Sequence, residues 1–248
     1  RGSRRRCAGA HRCESRGEEK EMKRLLALAL LALCGAAAAV AQNRGVAGRF
    51  DYYVLSLSWS PSYCADAGDR DPVQCGRDRR FAFVVHGLWP QYERGWPSDC
   101  ASTQARYVPP NLRQSMLDIM PSPRLVDHEW ETHGKCSGLT PQDYFGLTRR
   151  VRQKVAVPAQ FSALDRTLMT TGADVERAFI AANPGLKANM LAVQCDGNRL
   201  KEVRVCVTKT GAFRACGADV RDRCGPERVA MARIADQPAR LLQRRQAR

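Results

Sequence analysis

The chain has 248 residues, 40 Lys/Arg against 25 Asp/Glu, a formal net charge of +15 and 11 cysteines. This length excludes a mini-protein held together by disulfides alone and suits one domain with a proper core. The charge is compatible with a polyanionic partner (nucleic acid, acidic glycan or anionic membrane surface) or with a merely solvated basic surface, and does not choose between them.

In chain order, residues 1–21 show no apolar periodicity. Gly17-Glu18-Glu19-Lys20-Glu21 requires purine-rich codons just ahead of Met22, the pattern of a translated bacterial ribosome-binding site. The expectation is that 1–21 is untranslated upstream sequence and that the protein starts at Met22. Residues 22–41 combine a basic start, the apolar run LLALALLALCGAAAAV and Ala39-Val40-Ala41. Together they read as a secretory signal peptide cut after Ala41, with no membrane anchor left behind. A lipoprotein anchor at Cys34 is disfavoured because bulky Leu33 precedes it. The mature part carries a net +10 and eight cysteines. An even count behind a leader reads as four disulfides in an oxidising compartment, so a periplasmic or secreted location is expected.

FDYYVLSLSW (50–59) reads as a strand, and FAFVVHG (81–87) as a buried central strand ending at His86. SPSYCADAGDRDPVQC between them reads as a turn-rich loop. The Gly/Pro-punctuated connection after His86 is of the kind that carries binding groups. Helical patterns run from Asn111 to the break at Pro121-Ser122-Pro123, from Leu125 to His133, from Pro141 through Val155, and from Val175 to Ala182. MLAVQC and LKEVRVCVT form a hairpin about Asp196-Gly197-Asn198. The expected architecture is one α+β domain over 42–225, an antiparallel sheet packed by helices on one side, followed by a basic, disordered tail over 226–248.

HEWETHGKC (128–136) holds two of the four histidines. The zinc frame H-E-x-x-H fails, because His128 and His133 are five apart and point about 140° from each other on a helix. Glu129 and His133, at i and i+4, share a face, an arrangement that orients a histidine for proton transfer. A second histidine for acid–base work is His86, in FVVHGLWPQ.

HGLWPQ and HEWETHGKC, in that order, resemble the two active-site boxes of the ribonuclease T2 family, and FDYYVLSLSWSPSYC resembles its first strand and turn. The resemblance runs from about Phe50 to Cys224, thinning between Leu139 and Asn189. It implies a disulfide-bonded fold of that family and an endoribonuclease that cuts single-stranded RNA, not DNA, through a 2′,3′-cyclic phosphate to a 3′-phosphate. No metal or cofactor is implied, and a monomer is expected. Carried over, His133 is the base, His86 the acid (with the roles exchangeable), Glu129 the orienting or polarising carboxyl, and His128 a phosphate ligand. Trp89 is the expected stacking platform for a base, with Gln91 and Tyr92 adding edge contacts and Ser58 and Trp59 bordering the pocket. The implied disulfides are Cys64–Cys75, Cys100–Cys136, Cys195–Cys224 and Cys206–Cys216. One departure stands out: Thr132 occupies the position before the second histidine where the family usually has lysine. Lys135 or an arginine from elsewhere would have to replace that charge. The alternative reading is a catalytically weak relative that binds RNA or glycan.

Overall fold

The computed structural model describes residues 44–76 and 79–234. The expectations for 1–41 and for the end of the tail lie outside these residues. Among the described residues no helix is long and apolar enough to cross a membrane.

Among the described residues there are eight strands: β1 (Arg44–Val46), β2 (Tyr52–Trp59), β3 (Phe83–Gln91), β4 (Ser98–Ala101), β5 (Leu168–Thr170), β6 (Leu191–Asp196), β7 (Arg199–Val207) and β8 (Val229–Met231). β1 and β4 pair in parallel as a small separate sheet. The main sheet runs β3-β2-β7-β8-β5, with β6 also on β7, and is antiparallel except where β8 meets β7. Six α-helices accompany them within the described residues: α1 (Ser60–Ala67), α2 (Pro72–Cys75), α3 (Pro110–Ser115), α4 (Pro123–Thr132), α5 (Pro141–Lys154) and α6 (Gly172–Ala182).

Strand alternation sorts the sheet into two faces. Tyr53, Leu55, Leu57 and Trp59 of β2 join Val203, Val205 and Val207 of β7 in the main core. Helices close over that face with Val126 and Trp130 of α4, Phe145 and Val151 of α5, and Val175 and Phe179 of α6. Each such side chain contributes roughly 1.5–3 kcal/mol on burial. The intervening residues (Ser56 and Ser58 on β2, Glu202 and Arg204 on β7) belong to the opposite face, and the functional groups gather there. Side-chain caps start three of the helices: Asp71 accepts from the Gln74 amide at 3.2 Å, Thr140 from the Asp143 amide at 3.2 Å and Thr171 from the Asp174 amide at 3.1 Å.

The structure departs from the sequence reading in four places. Residues 60–67 form a helix rather than a turn, with Pro61 in its first turn and Cys64 bonded to Cys75. β3 continues past His86 to Gln91 and is an edge strand, paired only with β2. Its apolar run is buried all the same, because the 116–120 turn covers the edge and Ile119 accepts from the Val85 amide at 2.9 Å. The helix beginning near residue 111 is short, ending at Ser115. Finally, the fold extends beyond 226: Val229 and Met231 of β8 are buried, and the Trp59 indole donates to the Ala232 carbonyl at 3.1 Å. Arginine-rich composition concealed that Val/Met alternation.

Four disulfides join Cys64–Cys75, Cys100–Cys136, Cys195–Cys224 and Cys206–Cys216. Cys100–Cys136 spans 36 positions and ties β4 to the turn just after His133. Opening it with a Cys100→Ser/Cys136→Ser pair is expected to cost about 3–4 kcal/mol by loop entropy. Denaturant unfolding of the oxidised protein would register this as a lowered midpoint, and an unchanged midpoint would refute it.

Candidate active site

His86 is presented by an irregularity in the β2–β3 ladder. Ser56 pairs with Gly87 and Leu57 with Val85, which leaves His86 as the extra residue of a β-bulge. Bulges re-aim a side chain out of the regular alternation. Across β2 the neighbouring side chains are small serines, so the imidazole reaches the next strand but one. There its Nδ1 lies 2.7 Å from Glu202 Oε1. The other Glu202 oxygen accepts from Arg204 Nε and Nη2 at 3.1 and 3.0 Å. The Glu202 side chain is 2% exposed, and that of His86 33%.

α4 supplies the second box. Val126 and Trp130 anchor the helix in the core. Glu129 is fully buried one turn before the helix end, and its Oε2 accepts from the Trp89 indole at 2.7 Å. Its Oε1 lies 3.7 Å from His86 Nε2 and has no hydrogen-bond partner. Gly87 makes this approach possible, since a Cβ there would lie 1.9 Å from Glu129 Oε2. α4 ends at Thr132, and His133 caps it with φ −119°. The expected Glu129–His133 pair does not form: Glu129 turns to His86 and Trp89, and His133 leaves the helical path. The Trp89 ring centroid is 5.0 Å from that of His86 and 5.4 Å from that of His133. The tryptophan is thus a common wall for both histidines. Arg204 stacks on the Trp89 ring, 5.1 Å from its centroid.

Electrostatics separate the two histidines. Burial and the nearby His128 and His86 push the His133 imidazole down to about 4. Burial also opposes charging of His86, but the Glu202 hydrogen bond and the Glu129 and Glu202 carboxylates outweigh it and raise the group. Burial lifts Glu129 to about 7, against the lowering pull of His86 and the Trp89 hydrogen bond. Glu202, although buried, is held down at about 2 by His86 and Arg204. The two histidines are thus shifted in opposite directions, His86 towards its charged form and His133 towards its neutral form, beside an anionic Glu202.

His86 and exposed His128 line a cavity of about 850 Å³, together with Ser58, Ser62, Gln74 and Arg124 among others. Of the residues expected to bind a base, Gln91 is buried and Tyr92 packs against the core, and neither is among the residues lining this cavity. Trp59 is also a core residue. Trp89 is half-buried and contacts Arg204, both histidines and Glu129. Cys136 is in a disulfide, which removes it as a metal ligand. Thr132 Oγ1 lies 3.4 Å from His128 Nδ1.

Sequence reasoning missed Glu202 and Arg204. The available signal was a pair of charges alternating with valines in KEVRVCV, which puts both on the face away from the core. That this face lies opposite His86 depends on strand order and the bulge.

Two histidines share one tryptophan ring on an α+β, disulfide-bonded scaffold, and comparison with known proteins identifies the family. The chain matches the model of the Ribonuclease T2 family over residues 50–216 and belongs to that family. It is 39% identical to a ribonuclease of Aeromonas hydrophila over 196 residues, covering 77% of this chain and 86% of that protein. With ribonuclease I of Escherichia coli (strain K12) it shares 28% identity over 236 residues, 77% of this chain and 87% of the relative. Among solved structures, the S-like ribonuclease trichomaglin superposes with a TM-score of 0.60 at 24% identity, covering 76% of this chain and all of that one. That likeness concerns the fold.

Proposed function

We propose that this endoribonuclease cleaves single-stranded RNA by transphosphorylation, with His133 as base and His86 as acid. The observation that carries the reading is the placement of two histidine rings against one tryptophan ring, with Glu202 raising His86 and burial lowering His133. Neutral His133 takes the proton of the 2′-OH as that oxygen attacks the adjacent phosphorus. The bond from phosphorus to the 5′-oxygen breaks, and His86 Nε2 gives its proton to the departing oxygen, leaving a 2′,3′-cyclic phosphate. In the second stage water attacks the cyclic ester with the two roles reversed, giving a 3′-phosphate. Uncharged Glu129, with Oε1 unpartnered, is available to donate to a phosphoryl oxygen, and His128 binds phosphate from the cavity rim. The nucleotide flanking the scissile bond occupies the cavity. Export to a periplasmic or extracellular compartment fits the leader-like segment and the four disulfides.

Thr132 favours a second reading, an RNA- or glycan-binding relative with little turnover. Arg204 offers a cation to the site, but it is already paired with Glu202. The experiment is incubation of a short single-stranded RNA in excess EDTA beside its all-DNA counterpart and an RNA with one 2′-deoxy position. Cleavage to cyclic-phosphate ends everywhere except at the deoxy position, with DNA intact, is expected. Saturable binding of uncut RNA from pH 4 to 8 would transfer the case to the binding reading.

A further inference from the structure

We infer that Glu202, clamped by Arg204, is the positioning residue of His86: it sets the tautomer and orientation in which Nε2 delivers its proton to the leaving group. The inference rests on the two-histidine mechanism above and assigns this chain's β7 a part in it. Glu202 is a carboxylate buried on a sheet face, where an unpaired charge is costly. Both its oxygens are engaged, Oε1 by His86 Nδ1 at 2.7 Å and Oε2 by two nitrogens of Arg204. An anion on Nδ1 requires the proton there. The second nitrogen then lies 3.7 Å from Glu129 Oε1, on a residue that lines the cavity. A carboxylate behind an imidazole holds the ring in one tautomer and stabilises its charged form, the device known from serine hydrolase triads. Here it serves an acid instead of a base.

The local sequence is built for this contact. Ser58 pairs with Glu202 and Ser56 with Arg204 on β2, and Ser58 pairs with Val84 on its other side. A large residue at either serine would fill the space the imidazole crosses. Arg204 also stacks on Trp89, so one guanidinium fixes both the carboxylate and the ring between the histidines. The charged and titratable groups around His86 are Glu202 and Arg204 from β7, Glu129 from α4, and His133 at the end of that helix. Of these, Glu202 alone contacts Nδ1.

The test compares wild type with Glu202→Gln on two substrates, a dinucleotide whose leaving group is a ribose 5′-oxygen and a nucleoside 3′-(4-nitrophenyl phosphate). The nitrophenolate departs without a proton and bypasses the acid. Glu202→Gln is expected to lose ~10–100-fold in kcat on the dinucleotide, a range typical of general-acid contributions when only partly impaired, and under threefold on the aryl ester. The alkaline limb of its pH profile should also move down. Equal losses on both substrates, or no loss, would overturn the assignment. Glu129 shares the alkaline limb, and the variant could be unstable, so a second measurement uses the unaltered protein. The ¹⁵N–¹H spectrum of neutral His86 should show the proton on Nδ1, and a proton on Nε2 would refute the inference. Failure of the mechanism itself would look different, because wild type would then cut neither substrate.

Discussion

The His133→Ala enzyme is expected to lose about 10²–10⁴-fold in kcat on RNA, the usual value of a positioned general base, while keeping its fold. His133 sits at the end of α4 with its ring toward the site, and the core contacts of that helix come from Val126 and Trp130. The pH dependence carries the sharper test. A base works in its neutral form, and burial with two neighbouring histidines brings His133 to about 4. Wild-type kcat/KM should therefore rise with pH through about 4. It should fall again on the alkaline side, as Glu129 ionises from about 7 and as His86, raised by Glu202 and Glu129 against its burial, loses its proton at higher pH. The result is a bell with an acid-to-neutral plateau. In His133→Ala the acidic limb should vanish from the residual activity. Persistence of a limb near pH 4 in the variant would place the base elsewhere.

A single methyl group at Gly87 should be nearly as damaging, for a different reason. Gly87 does not need glycine for its backbone angles, since it is absent from the positive-φ residues. It needs the empty space. An added Cβ would lie 1.9 Å from Glu129 Oε2, 2.7 Å from its Cδ and 2.3 Å from Trp89 Nε1. None of these atoms can swing away cheaply: Glu129 is fully buried, and the two groups hold each other at 2.7 Å. Gly87→Ala is expected to cost about 1–3 kcal/mol of stability, as overpacking does. Prising Glu129 and Trp89 apart should also lower kcat by about 10²-fold, since misplacement by an ångström has that effect. Thermal unfolding and steady-state kinetics measure the two effects separately. Gly146→Ala is the control: it lies within α5, and its nearest neighbour would be Arg150 Nη1 at 3.4 Å. That variant should stay active. A Gly87→Ala enzyme within twofold of wild type would mean that the close Glu129–Trp89–Gly87 packing is not what the reaction requires.

The sequence by itself determined the class of fold, the long helices and the hairpin, because alternating and 3.6-residue apolar patterns are local properties of the chain. The aromatic and aliphatic residues of 50–57 could be read as core from their pattern, whereas Trp59, expected at the pocket border, proved to be part of the core. The two boxes, with His86, His128, Glu129 and His133, were legible because each is a short contiguous run of unusual composition. Relations between segments were not legible. The i,i+4 spacing of Glu129 and His133 suggested a pair, yet the helix ends at Thr132 and Glu129 meets Trp89, 40 residues away. Gln91 and Tyr92 follow His86 closely in the chain, but neither lines the cavity that His86 lines, and nor does His133. Glu202 and Arg204, 116 or more positions beyond His86, join it through a bulge and the order β3-β2-β7. Hydrogen bonds and charges act over a few ångströms of space whatever the separation along the chain. Tertiary packing therefore decided which acid faces which histidine, and with it the opposite directions in which the two imidazoles are shifted.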